Sequence, residues 1–324
     1  MLLLSGGFKY HYLGGCRGLA GNSMRLIGAL ILGCAAFACG SVANAGECAN
    51  PDALGVSRTL RVDPAAGGLY GTMQYRHSLP LKDHEVVLTF DDGPLPRYSK
   101  AVLDILAAEC VTATYFMVGD MAREFPGTVR RIAAAGHTIG THSQSHPLTF
   151  DRMPVERARR QIDDGIASVA KALGDTGEVA PFFRIPGLAR QSAVEKYLLG
   201  RNISVFSADV TGDDWRRVRA RDVVKRTMRR LEARGRGIIL LHDIHAVTAM
   251  ALPSLLRELK ARGYRVVHLT TTVPEPETTP GIVPLPPERP KPSDPDMDAP
   301  IASNDLPLVI AVADRPMTFI ETEN

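Results

Sequence analysis

Val86-Val87-Leu88-Thr89-Phe90-Asp91-Asp92-Gly93-Pro94, residues 86–94, is an apolar run that ends in two adjacent carboxylates and a Gly-Pro turn. Such a run of β-favouring residues suits a strand buried on both faces, as in a parallel sheet. Adjacent carboxylates just past a buried strand point in different directions, so one can hold a metal while its neighbour handles protons. Gly93-Pro94 then turns the chain away. Alone, Asp-Asp-Gly-Pro is as often a polar turn as a reactive site, and the surrounding pattern decides between them.

Working outward, further strands are expected at residues 112–118, 138–141, 182–184, 203–207, 238–241 and 265–269. Helical stretches are expected at 99–109, 128–135, 155–173, 220–234 and 252–262. This alternation predicts an α/β fold on a parallel sheet, open or closed into a barrel. Chemistry in such folds gathers at the carboxyl ends of strands. Asp91 and Asp92 follow the first strand, His142 the third, Arg184 the fourth, Asp209 the fifth and His242 the sixth. Polar clusters at the same end of successive strands are not a random placement.

In His142-Ser143-Gln144-Ser145-His146 the imidazoles are four residues apart. On a helical turn they share a face and reach one ion. A lone His pair is more often structural, but Asp92 completes the three-ligand set of a catalytic metal with an open position. His242 ends the run Ile238-Ile239-Leu240-Leu241 and suits a general acid with a pKa near neutral; His245 could replace it or face solvent. Arg184, in Phe182-Phe183-Arg184-Ile185-Pro186-Gly187, is placed to grip a carboxylate in a bidentate contact, or to form an ordinary salt bridge. Asp209, Asp213 and Asp214 cluster before Trp215, the only tryptophan, which is equally a sugar platform or core packing.

Together these residues resemble the ordered motifs of NodB-type polysaccharide deacetylases, carbohydrate esterase family 4. The resemblance rests on residues 89–94, 142–146, 184–187, Asp214-Trp215 and Leu240-Leu241-His242, and covers residues 84–270. It implies a distorted (β/α) barrel of about seven parallel strands. It implies Asp91 as general base, Asp92, His142 and His146 as ligands of a divalent metal (zinc, or sometimes cobalt), and His242 as general acid. Arg184 would position Asp91, Asp214 would orient His242, and Trp215, Pro186 and Gly187 would touch substrate. The implied reaction is metal-assisted hydrolysis of N-acetyl groups on an N-acetylglucosamine-containing glycan.

Two departures stand out. The residue after the proline of the third motif is often aromatic in the family and is Gly187 here, which leaves the acetyl-pocket wall undefined. Asp209 lies six residues before Trp215, with Asp213 and Asp214 between, so any of the three carboxylates could support His242. An O-acetyl esterase would use the same residues. A catalytically silent sugar-binding protein would not need the full set of ligands, base and acid. The sequence is silent on oligomeric state and on whether the glycan is peptidoglycan, an exopolysaccharide or a chitin-like oligomer.

The remainder of the chain sets the context. Residues 1–45 carry Lys9, Arg17 and Arg25 and no acidic residue. Met24-Arg25, the apolar run 26–38 and Ala43-Asn44-Ala45 read as a cleavable export signal, with Met24 the expected start. That run is short for a membrane span, so no stable span is expected after cleavage, and the protein would be periplasmic or secreted. The alternatives are an uncleaved anchor or lipidation at Cys34. Residues 46–84 look like a lead-in with little periodicity, 85–272 form the catalytic domain, and 273–324 form a proline-rich tail expected to be disordered, with a short apolar island at residues 308–312. From Pro274 onward 10 acidic residues face 3 basic ones. Ten Lys and Arg residues crowd the interval 216–236, which could bind an acidic glycan or be a solvated face; no nucleic-acid motif accompanies them. Cys48 and Cys110 are either bonded or two separate thiols.

Overall fold

Side-chain parity along the strands decides what each residue of this chain meets. The computed structural model describes Cys48 and residues 50–272; residues 1–45, expected to be an export signal, with Cys34, and residues 273–324 with the apolar island lie outside the described residues. The strands are β1 (Val56–Val62), β2 (Leu69–Tyr70), β3 (Glu85–Asp91), β4 (Thr114–Met117), β5 (Thr138–Thr141), β6 (Phe182–Arg184), β7 (Ser204–Phe206), β8 (Val210–Thr211), β9 (Gly237–His242) and β10 (Arg265–Thr271). The helices are α1 (Pro96–Ala108), α2 (Gly119–Glu124), α3 (Pro126–Ala134), α4 (Val155–Leu173), α5 (Ser192–Leu199), α6 (Ala220–Arg234) and α7 (Ala246–Ala261). None of them is long and apolar enough to cross a membrane.

Every described ladder is parallel. The strand order is β8-β9-β3-β4-β5-β6-β7-β2, and β10 joins the start of β3 and carries β1. β7 and β8 lie at opposite ends of that order, yet only Ser207, Ala208 and Asp209 separate them in sequence. The two ends of the sheet therefore meet. Ser207 N–H donates to the Tyr70 carbonyl at 2.7 Å, and Asp209 N–H donates to the Ile238 carbonyl at 2.9 Å. The sheet is a distorted (β/α) barrel, and no ladder closes it between β7 and β8 among the described residues.

All seven expected strands form, and three more join them. β1 and β2 lie in the supposed lead-in, which is thus part of the same sheet. The strand β1 was hidden because Arg58 occupies the face that Val56, Leu60 and Val62 share, breaking the apolar alternation. Arg58 is accommodated by Glu85, whose two carboxylate oxygens accept from it at 2.8 and 2.7 Å. The helix α7 starts six residues before the expected Leu252, because Pro253 reads as a helix start but sits inside the helix. Its stripe Thr248, Ala251, Leu252, Leu255, Leu256 and Leu259 is buried at helical spacing.

Successive side chains of a strand face opposite sides. On β3, Val86, Leu88 and Phe90 pack outward with Leu106 and Leu255 of the surrounding helices. Val87 packs inward with Phe116, Phe182, Phe206 and Ile238. Asp91 has the parity of Val87, Arg184 that of Phe182, and His242 that of Ile238. The three functional candidates therefore share the barrel's inner face at one end.

Cys48 and Cys110 are bonded across a sequence separation of 62 residues, with their Cα atoms 5.8 Å apart. The bond ties the segment before β1 to the turn after α1. Cys110→Ser is expected to lower stability by about 2–4 kcal/mol, because a long loop in the unfolded chain is no longer closed. The urea midpoint under oxidising conditions reads this, and a wild-type midpoint insensitive to reductant would contradict it.

Candidate active site

β3 delivers Asp91 to the barrel mouth, where Arg184 Nη1 donates to Asp91 Oδ1 at 2.6 Å. The same nitrogen donates to Thr89 Oγ1 at 2.8 Å, and Nη2 donates to the Ser207 carbonyl at 2.9 Å. The expected bidentate grip is thus absent, since the guanidinium divides its donors between β3 and the bend after β7. Arg184 is fully buried and lies over the Phe116 ring at 4.2 Å. Asp91 Oδ2 is left facing His142 Nε2 at 3.8 Å.

Asp92 follows in left-handed backbone, with φ of 75°. The cis peptide Gly93-Pro94 follows, and Gly93 lies so close to Asp243 that a Cβ there would meet its carboxylate at 2.2 Å. A larger residue would require the Asp243 carboxylate to move. His142 and His146 do not share a helical turn as expected: residues 142–147 form an irregular loop after β5, with positive φ at Ser143 and His146. The loop is fixed from outside. The α2 amides of Gly119 and Asp120 donate to the carbonyls of Ser143 and Gln144 at 2.9 and 2.8 Å, and His146 N–H donates to Ser143 Oγ at 3.1 Å.

Asp92, His142 and His146 each offer one ligand atom, all within 4.8 Å of one another. Asp92 Oδ1 lies 3.5 Å from His142 Nε2 and 3.2 Å from His146 Nε2, yet it is buried without a hydrogen-bond donor. Three lone pairs that converge with no proton between them fit a divalent cation. His142 Nδ1 donates to the Arg184 carbonyl at 2.7 Å, which leaves Nε2 free to accept an ion, the outer-shell arrangement usual for metal-bound histidine. Burial pulls His142 down to about 4 against the opposing pull of Asp91 and Asp92, so its ring is neutral at ordinary pH. Burial would raise the Asp92 carboxyl, but the facing histidines hold it below its usual value.

The doubt over three carboxylates resolves to Asp214. Its Oδ1 lies 2.9 Å from His242 Nδ1, and its Oδ2 accepts from the His242 amide at 2.8 Å and from Thr248 Oγ1 at 2.6 Å. Asp209 instead accepts from Thr72, Ser78 and the Ile238 amide, closing the barrel seam. Asp213 is bound by Arg226 and Arg230 of α6. Burial would lower His242, but Asp214, with Asp92 and Asp91 behind it, raises it to about 10, above the near-neutral value expected. Asp214 itself stays below its usual value despite burial, because His242 and Thr248 favour its charged form. Thr248, one turn into α7, carries no signal in the sequence.

Trp215 is half-buried and meets the His242 ring edge-on, with centroids 5.5 Å apart. His245 lies 5.7 Å from His242 on the other side, and burial lowers its pKa. Pro186 is buried, whereas Gly187 is exposed with φ of 59°, a conformation that favours glycine. A Cβ at Gly187 would meet the exposed Leu148 side chain at 3.3 Å. Leu148, two residues past His146, thus stands where a side chain at 187 would begin.

The family model for polysaccharide deacetylase matches residues 79–201. The peptidoglycan-N-acetylglucosamine deacetylase PgdA of Listeria monocytogenes is 34% identical over 186 residues, 57% of this chain and 38% of its own length. The chain thus spans well under half of that relative. A peptidoglycan-N-acetylglucosamine deacetylase of Bacillus cereus is 31% identical over 197 residues, 59% of this chain and 89% of its own. Among solved structures, a peptidoglycan deacetylase of Bdellovibrio bacteriovorus superposes with a TM-score of 0.60 at 33% identity, covering 67% of this chain and 59% of the other.

A divalent cation that binds only the folded protein is expected to raise its melting temperature, worth about 2.7 kcal/mol at a hundredfold excess over Kd. The shift should vanish in His142→Ala. An equal shift in that variant would remove the three-residue site.

Proposed function

This chain belongs to the polysaccharide deacetylase family, and from that membership we propose that it is a metal-dependent hydrolase removing N-acetyl groups from an N-acetylglucosamine-containing glycan outside the cytoplasm. The observation that carries this is Asp91: a buried carboxylate fixed by Arg184 through one oxygen, with the other aimed at the Asp92-His142-His146 triad. A base beside a cation, but not bound by it, is what activation of water requires. The peptidoglycan substrates named for the Listeria and Bacillus relatives favour the same glycan here. Export is supported by the charge and apolar pattern of residues 1–45 and by the Cys48–Cys110 bond, which suits an oxidising compartment.

Two imidazoles and a carboxylate suit zinc, which when bound would polarise the acetyl carbonyl and acidify the attacking water. Asp91 Oδ2 takes the proton of that water, while Arg184 keeps the carboxylate oriented. His242 gives Nδ1–H to Asp214 and presents its Nε2 proton to the departing sugar nitrogen. Its raised pKa keeps that proton in place at neutral pH. An amine leaves only after protonation, so a charged His242 favours an amide over an O-acetyl ester as substrate. Trp215 braces the His242 ring and offers an apolar surface to a sugar. Gly187 and Leu148, both exposed and adjoining each other, offer further contact surface, with Pro186 buried behind them.

Asp91→Asn is expected to lower acetate release from an N-acetylglucosamine oligomer by about a hundredfold or more, with bound metal retained. Activity near wild type would sink the assignment, and faster release from an O-acetylated xylan would favour the esterase. Asp214→Asn removes the main group that raises His242, so the alkaline limb of the kcat profile should move to lower pH. An unmoved limb would deny His242 its role as acid.

A further inference from the structure

Ten Lys and Arg residues fall between Arg216 and Arg236, and the fold sorts them. Arg219 pairs with Asp222, Arg226 and Arg230 hold Asp213, and Arg234 bonds Thr72. Arg221, Lys225 and Arg229 have no acidic partner within ion-pair distance among the described residues, and all three are exposed. They stand four residues apart on one row of α6, a span of about 12 Å. With Val224 and Met228 they line a groove of about 390 Å³. At one end of the groove the acidic side chains are already matched, since Arg262 pairs with both Glu232 and Glu258.

Three like charges at four-residue spacing repel one another along a helix, and a polyanion laid over them relieves that repulsion. The row also leads toward the catalytic cleft. α6 starts five residues after Trp215, and exposed Arg216 and Arg217 occupy that interval, with Arg216 6.0 Å from the Trp215 ring. A neutral glycan has no use for such a path. We propose that the α6 face, from Trp215 through Arg221 and Lys225 to Arg229, is a docking track for an acidic glycan polymer, bearing carboxylates or phosphodiesters, that is led from there into the cleft. The partly exposed Val224 in the groove suits the apolar face of a sugar ring, and the cations suit the charges beside it. The proposal rests on the deacetylase reading of the cleft and adds to it that the polymer is anionic.

The test uses the full chain and its triple variant Arg221→Gln, Lys225→Gln, Arg229→Gln. Fluorescently labelled polygalacturonate and poly(glycerol phosphate) serve as carboxylate and phosphate probes, titrated at rising salt. Wild type should bind at least one of them at low salt and lose it as screening rises, and the triple variant should bind roughly tenfold more weakly. Acetate release from a neutral N-acetylglucosamine oligomer should be equal in both. Equal probe binding by the variant and wild type would overturn the track. Tighter binding of duplex DNA than of either glycan probe, lost in the variant, would overturn it in favour of nucleic acid. Failure of wild type to bind either probe would overturn the proposal, and faster protease cleavage of the acidic residues 274–324 in the variant would then give the groove to the chain's own tail. Absence of acetate release by wild type would instead strike the deacetylase reading, and the binding titrations would still decide the track.

Discussion

The contact between Arg184 and Asp91 is the interaction on which the barrel mouth depends. Both groups are buried, and an ion pair so placed is costly to desolvate, so it persists only where further hydrogen bonds complete it. Thr89 Oγ1 and the Ser207 carbonyl supply them. Because β6 and β3 are not neighbours in the sheet, this one side chain spans the inner space and draws β3, β6 and the bend after β7 together. Removing the guanidinium would leave a buried carboxylate unpaired, at about 3–5 kcal/mol. Packing and chemistry thus constrain the same residue.

The rest of the site is arranged so that neighbouring groups hold opposite protonation states. His142 is held neutral by burial and gives its outer proton to the Arg184 carbonyl, while His242 is held charged by Asp214. Two imidazoles in one cleft therefore take opposite charge states without any difference in residue type. Asp243, just past His242, is raised to about 7 by burial and bonds to Ser99 beneath Gly93. It ties the turn just after β9 to the first turns of α1 and packs under Gly93, so His242 and Asp92, at the ends of adjacent strands, share one internal support.

How much of this was legible in the sequence follows from how local each cause is. The seven longer apolar runs announced their strands, because burial on both faces leaves a compositional mark. β1 did not, since Arg58 is compatible with its inner face only through Glu85, 27 residues away. The cluster Asp91, Asp92, His142, Arg184 and His242 could be read from strand ends, because parallel strands present their carboxyl ends together. The conformation around His142 and His146 could not: it depends on positive φ at Ser143 and His146 and on donors from α2, neither of which the four-residue spacing records. The partner of His242 was likewise undecided among three nearby aspartates until contacts from α6 and the barrel seam claimed the other two.

Those contacts bear on how charge along a helix should be read. The basic interval 216–236 looks uniform in composition, yet Arg226 and Arg230 are turned to Asp213 and are only partly exposed. Asp213, held at φ of 56°, fixes the direction from which Asp214 reaches His242. One face of α6 thus positions a carboxylate next to Asp214 and His242, while Arg221, Lys225 and Arg229 on another face find no such partner among the described residues. A count of ten cations cannot distinguish these uses. The distinction comes from which turn of α6 faces the loop after β8, and that is set by the burial of Val223, Thr227, Met228 and Leu231 against the sheet and α7. Hydrophobic registration of the helix therefore decides which of its charges serve the cleft and which are left for a partner.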